Sequence, residues 1–160
     1  MSESKKKEKY TAGVISDTHG MLRSGIYETF KGVDLIIHAG DVGTKEVLRE
    51  LEKIAPVIAV QGNTDGRWAA YLKPTEIVQI GEVQIYVLHD LWLLELDPKT
   101  AGFHAVISGH THQPKIESKD GVLFLNPGSA GPRRFDYPIS AAMLEIQGKV
   151  LHPRIVEFAP

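Results

Sequence analysis

The chain of 160 residues contains no cysteine. That absence excludes disulfide scaffolds, thiolate zinc sites, iron–sulfur clusters and cysteine nucleophiles together. An excess of one charge is also missing: 18 Lys and Arg stand against 20 Asp and Glu, a formal net charge of −2. So even a balance argues against a dedicated nucleic-acid binder. Long apolar runs are lacking. The longest are a handful of residues, well short of the roughly 18–20 that span a bilayer. Residues 2–9, Ser-Glu-Ser-Lys-Lys-Lys-Glu-Lys, have no apolar segment behind them and do not read as a secretory signal. The expectation is a disordered basic tail over 1–9, one domain over 10–160, and a cytoplasmic protein. The chain also lacks Gly-x4-Gly-Lys-Ser/Thr, Gly-x-Gly-x-x-Gly, Gly-x-Ser-x-Gly and His-Glu-x-x-His, which removes several common enzyme classes.

What is present is seven histidines and a recurring pattern. Short aliphatic runs end abruptly in polar clusters. Ala12–Ile15 runs into Ser16-Asp17-Thr18-His19-Gly20, and Leu35–Ile37 into His38-Ala39-Gly40-Asp41. Val57–Val60 runs into Gln61-Gly62-Asn63-Thr64-Asp65, Ile85–Leu88 into His89-Asp90, and Ala105–Ile107 into Ser108-Gly109-His110-Thr111-His112. Such runs read as strands buried on both faces. Helical patterns lie between the early ones. Leu22–Lys31 carries Leu22, Ile26 and Phe30; Thr44–Ile54 carries Val47, Leu48, Leu51 and Ile54, with Thr44 as its expected cap and Pro56 as its stop. A short helix is expected within Gly66–Lys73, and a loop and helix within Leu91–Phe103.

The second half changes character. Thr75–Ile80 with Val83–Leu88, Lys115–Ser118 with Val122–Leu125, and Ala141–Ile146 with Val150–Phe158 read as hairpins around Gly-containing turns. The fold class is therefore α/β with an α+β-like second half: two packed sheets, flanked by helices, in one domain.

In open α/β sheets functional groups gather beyond the carboxyl ends of the strands. Here those ends deliver Asp17 and His19, then Asp41, Asn63, His89, and finally His110 with His112. All are nitrogen or oxygen donors, which suits Mn, Fe, Zn or Ni. Asp-x-His and His-x-His place side chains two apart, on one side of an extended segment, so each pair can serve one centre. Seven donors exceed one tetrahedral site and suit two ions about 3.5–4 Å apart with a shared carboxylate. Asp41, the lone carboxylate on its strand end, is the natural bridge. A single histidine at a strand end is more often structural, and His38, His104 and His152 receive that reading.

The ordered set Asp17-Thr18-His19-Gly20, Gly40-Asp41-Val42, Gly62-Asn63-Thr64-Asp65, His89-Asp90 and Gly109-His110-Thr111-His112 resembles the calcineurin-like metallophosphoesterase family. Its small single-domain bacterial and archaeal phosphodiesterase branch is the nearest in look, and Asn126-Pro127-Gly128-Ser129 with Pro132-Arg133 matches that branch's late loop. The resemblance covers about residues 10–158. It implies the metallophosphoesterase fold and two divalent ions, manganese first, with nickel, iron, zinc or magnesium as alternatives. It places Asp17, His19 and His112 on the first ion and Asn63, His89 and His110 on the second, with Asp41 bridging. The implied activity is phosphoester hydrolysis, of diesters first, by a hydroxide held between the ions, with Asp41, Asn63 and His110 as catalytic residues.

Two positions depart from the pattern. Many members carry His after the metal-binding Asn, where it protonates the leaving group; here it is Thr64. After the ligand His89 the family usually has Gly; here it is Asp90. Asp65 and Arg133 are candidate substrate contacts, with Arg134 an alternative to Arg133. Trp68, Trp92 and the leucines of Leu91–Leu96 either wall a pocket or pack a helix or subunit contact. The expected partner is a small phosphoester, with no long duplex nucleic acid and no membrane; a homo-oligomer is compatible with the sequence. A non-catalytic scaffold, similar to the retromer subunit of this fold, and a phosphomonoesterase are the alternative functions.

Overall fold

The computed structural model describes residues 8–160. Most of the expected tail, residues 1–7, lies outside the described residues, whereas Lys9, assigned to that tail, already pairs with Gln147. In chain order the elements are β1 (Lys9–Ile15), α1 (Ser24–Thr29), β2 (Leu35–His38), α2 (Lys45–Glu52), β3 (Val57–Ala59), β4 (Thr75–Ile80) and β5 (Val83–Leu88). β6 (Ala105–Ile107), β7 (Lys115–Lys119), β8 (Val122–Asn126), β9 (Ile139–Gln147) and β10 (Val150–Phe158) follow. They form two five-stranded sheets, ordered β10-β9-β1-β2-β3 and β4-β5-β6-β8-β7.

β1, β2 and β3 run parallel, as the two strand–helix–strand passages require, and β9 closes antiparallel onto β1. In the second sheet β5, β6 and β8 are parallel, with antiparallel strands at both edges. The continuous apolar runs are explained by burial of both faces. Val14 and Ile37 enter a core shared with Ile85, Ile107 and Leu125 of the other sheet. Their neighbours Ile15 and Ile36 face the helices, packing with Ile26, Phe30, Val47 and Leu51.

The helices are shorter than the sequence periodicity predicts. α1 loses its ends because Arg23 is extended and Gly32 takes φ +83°, although Leu22 still packs with the helix-side core. α2 buries Val47, Leu48 and Leu51 as expected, but Thr44 makes no capping hydrogen bond: its γ-methyl faces Gly20 instead. The expected helix in 66–73 is a single 3-10 turn, Arg67–Ala69. Leu91–Phe103 holds another, Leu91–Leu93, and then turns around Pro98, closed by Ala101 N–H to the Asp97 carbonyl and Phe103 N–H to the Pro98 carbonyl. Among the described residues no helix is long and apolar enough to cross a membrane.

Candidate metal centre

Parallel strands end on the same side, so the loops after β1, β2 and β3 meet those after β5, β6 and β8 along one edge of the sandwich. The backbone stitches them together. Asp17 and His19 donate N–H to the carbonyls of Gly40 and Asp41, each at 3.0 Å, and Gly109 N–H reaches the His89 carbonyl at 2.9 Å. Closeness at these crossings dictates residue type. At Gly43, φ is +97° and a Cβ would overlap Gly20 N. At Gly62 a Cβ would overlap Asp41 N and Oδ1.

All seven predicted donors arrive at this edge. The His112 Nε2 lies 3.4 Å and the His19 Nε2 3.8 Å from Asp17 Oδ1. Asp41 Oδ2 lies 3.8 Å from His19 Nε2 and 3.2 Å from His89 Nε2, between the two donor sets, where a shared carboxylate belongs. Asp17 Oδ1 reaches the same His89 Nε2 at 3.9 Å. Beyond His89, His110 Nδ1 is 3.3 Å from His89 Nε2 and 3.2 Å from Asn63 Oδ1. Asp17, Asp41, His89 and His112 are buried; Asn63 and His110 are exposed and form the rim.

Convergence of the paired donors has a different origin from the one expected. Asp17, His19, Asp41, His110 and His112 all take positive φ, from 48° to 73°, so neither pair is extended. Left-handed kinks turn the side chains inward, at a cost of about 1–3 kcal/mol per residue. Nor does His-x-His serve one centre. His112 faces Asp17, whereas His110 faces His89 and Asn63.

The donors fit divalent cations. Asp17 Oδ1 and His19 Nε2 are buried with no hydrogen-bond partner among the described residues, a costly arrangement unless something else occupies that space. His89 Nδ1 donates to the Ala39 carbonyl at 2.8 Å, which orients the ring and turns Nε2 toward Asp41, where it could ligate a cation. Burial alone would raise the pKa of both carboxylates, but the surrounding imidazoles outweigh it. Contacts with His112 and His89 lower Asp17, and contact with His89 together with the Thr64 N–H lowers Asp41. Burial likewise pulls His89 down, yet Asp41 and Asp17 hold it above its ordinary value. The pocket thus concentrates anionic oxygen and calls for positive charge.

Three supporting residues hold the donor loops in place, two of them, Asn126 and Ser129, from the late-loop motif. Ser16 Oγ donates to Asp17 Oδ2 at 2.6 Å, Ser129 Oγ to the Asp17 carbonyl at 3.1 Å, and Asn126 Nδ2 to the Gly109 carbonyl at 3.0 Å. Asp65, a candidate substrate contact, has both carboxylate oxygens engaged by the backbone. Its two carboxylate oxygens accept the N–H groups of Val42, Gly43 and Gly62, at 3.2, 3.0 and 2.9 Å, and brace the loops that carry Asp41 and Asn63. Arg133 and Arg134 are both exposed, and it is Arg134 whose charge acts on His19. Burial first and then Arg134 lower the His19 pKa against the pull of Asp41 and Asp17. Asp90 Oδ1 accepts the Trp92 N–H at 3.1 Å, and its Oδ2 lies 3.8 Å from His110 Nε2, so it caps the 3-10 turn and faces His110 rather than His89. Trp68 packs with the helix-side core, while Trp92 is 91% exposed.

His38 lies behind the centre, fully buried. Its Nδ1 accepts Gly40 N–H at 3.1 Å, and its Nε2 is 3.0 Å from Thr18 Oγ1, which donates to the Val42 carbonyl. Burial pushes its pKa from 6.5 down to about 4. The unfolded chain therefore takes up a proton near 6.5 that the folded chain refuses. Stability is complete above pH 6.5 and is lost as pH falls toward 4, by about 1.4 kcal/mol per unit. Urea unfolding of metal-free protein at pH 7 and pH 5 should register that loss. In His38→Asn the slope should flatten by about the same amount; identical slopes in the two proteins would contradict a buried neutral ring. His104 Nδ1 accepts the Gln84 N–H at 3.0 Å, and His152 lies exposed on β10.

The sequence profile of the calcineurin-like phosphoesterase superfamily domain matches residues 11–149. A probable metallophosphoesterase of Methanothermobacter thermautotrophicus is 35% identical over 156 residues, covering 90% of each chain. A phosphodiesterase of Methanocaldococcus jannaschii is 34% identical over 136 residues, covering 72% of this chain and 81% of that one. Among solved structures, vacuolar protein sorting 29 from Cryptosporidium parvum shares the fold, with a TM-score of 0.77 at 23% identity over 96% of this chain and all of that one.

Proposed function

The chain belongs to the calcineurin-like phosphoesterase superfamily, and from that premise we propose that it is a divalent-metal-dependent phosphodiesterase acting on small phosphoesters. The observation that carries the reading is the convergence of two donor sets on one rim, with Asp41 between them and buried donor atoms left without hydrogen-bond partners. Asp17, His19 and His112 would hold one ion and Asn63, His89 and His110 the other. When bound, such a pair lowers the pKa of water and polarises a phosphoryl oxygen. We take manganese as the first candidate.

The chain's own residues supply the rest. Asp41, buried and anionic, keeps the two donor sets at a fixed separation, with its Oδ1 pinned by Thr64 N–H at 2.9 Å. Asn63 and His110, on the rim, are the donors that meet an incoming phosphoester first. Asn63 also presents an amide that can donate a hydrogen bond to equatorial oxygens as charge develops there. Arg134, on the His19 side, adds a guanidinium for the same purpose. Thr64 offers no imidazole to protonate a leaving alkoxide, which favours substrates whose leaving groups depart as stable anions.

A scaffold needs none of this. Positive φ at five donors and unpartnered buried atoms lower stability, and a protein acting only through its surface gains nothing from either. Hydrolysis of bis-p-nitrophenyl phosphate and p-nitrophenyl phosphate, assayed in parallel across Mn, Ni, Mg and Zn, tests the proposal. Diester turnover should exceed monoester turnover by about tenfold or more. A monoester preference would replace the diesterase reading with a monoesterase, and bound metal with no hydrolysis of either would return the scaffold.

A further inference from the structure

A cavity of about 450 Å³ opens from the metal-ligand rim toward the second sheet. Asn63 and His89 belong both to its wall and to the candidate metal centre, so the two spaces are continuous. Further out, the wall is apolar, formed by Pro74, Tyr86, Leu88 and Leu93. Tyr86 is braced edge-on by Phe103, with ring centroids 5.2 Å apart, so that wall is preformed. Among the described residues its only carboxylates are those of Asp90 and Glu95, and no lysine or arginine lines it. The volume lies within the range of sites that take small organic molecules.

A phosphoryl group seated at the centre would carry its organic ester group into a space walled by apolar side chains and by the carboxylates of Asp90 and Glu95. A second phosphate or a carboxylate entering there would meet Asp90 and Glu95 with no lysine or arginine among the described residues to offset them.

We propose that this cavity is the ester-group subsite and that it selects phosphoesters whose organic group is apolar or aromatic and carries no negative charge, against multiply anionic substrates. The assignment rests on the phosphoesterase reading of the adjoining centre. Leu93, 70% exposed, supplies apolar contact, and Glu95 repels anionic groups; neither is buried in the fold, so both can be changed without disturbing the core.

Calorimetric titration of the manganese-loaded protein with phenylphosphonate and with 4-carboxyphenylphosphonate tests this without relying on turnover. The wild type should bind the uncharged aryl group about tenfold more tightly. Glu95→Lys should erase or invert that ratio, and Leu93→Asp should weaken phenylphosphonate by about tenfold. Equal affinity for the two phosphonates, unchanged in Glu95→Lys, would overturn the subsite while leaving the phosphoesterase reading intact. No binding of either phosphonate by manganese-loaded protein would overturn both.

Discussion

Asp41→Asn should lower diester turnover by about a thousandfold and reduce bound metal below two ions per chain, with the fold retained. Asparagine has nearly the same volume and can still accept the Thr64 N–H that Asp41 Oδ1 accepts at 2.9 Å. What it removes is the anionic oxygen set 3.8 Å from His19 and 3.2 Å from His89. Without that charge the two donor sets share only Asp17, whose other oxygen is already engaged by Ser16 and the His110 N–H. Elemental analysis of protein purified without chelator, circular dichroism and turnover on one preparation separate the effects. Near-wild-type turnover with two ions bound would sink the assignment of Asp41 to the centre.

The second large effect is expected at Gly62. A methyl group there collides with the backbone nitrogen, Cα and carboxylate of Asp41 rather than with a side chain that could swing aside. Relief requires the β2 and β3 loops to separate. That separation breaks the Val42 and Gly43 N–H contacts to Asp65 and displaces both Asp41 and Asn63. Gly62→Ala should therefore cost about 3 kcal/mol of stability and abolish metal uptake, through overpacking at an immovable neighbour. Gly66, four residues on, has nothing within 4 Å of an added Cβ and provides the control. Gly66→Ala should cost about 1 kcal/mol at most, from the small preference for Gly at a helix start. Urea denaturation of both variants makes the comparison; equal losses at the two positions would show that the loop contact is not the cause.

Strand positions and donor identities were readable because each rests on a short-range signal. An apolar run that stops at Asp, Asn or His marks both a buried strand and the group its end presents, and the hairpin β4–β5 falls on the predicted residues. What was not readable depends on backbone angle or on contacts made across the fold. Nothing in Asp-Thr-His announces that Asp17 and His19 are left-handed; that geometry is imposed by the pairing of their N–H groups with the β2 loop. Asp65 has the composition of a site residue, yet its partners Val42 and Gly43 lie 23 and 22 positions away. Arg134 and Arg133 are indistinguishable as neighbours in sequence, and only folding sets Arg134 to act on His19. Periodicity overstates the helix lengths for a related reason. Periodicity at Leu22 reports burial, and Leu22 is packed with the helix-side core without being helical.

The split origin of the two sheets has a consequence for how the molecule comes into being. The second sheet arises from one uninterrupted stretch, β4 to β8, and can pair as it forms. The first cannot: β1 finds its antiparallel neighbour only in β9, with Gly13 opposite Met143. Pairing across so long a stretch of chain is a long-range contact of the kind that forms slowly. Of the seven donors, Asp17, His19, Asp41 and Asn63 follow strands of the sheet that this long-range pairing closes, and His89, His110 and His112 follow strands of the self-contained one. Ions bound at that edge would span the seam between the two sheets, and would act as a clasp that rewards only the finished molecule.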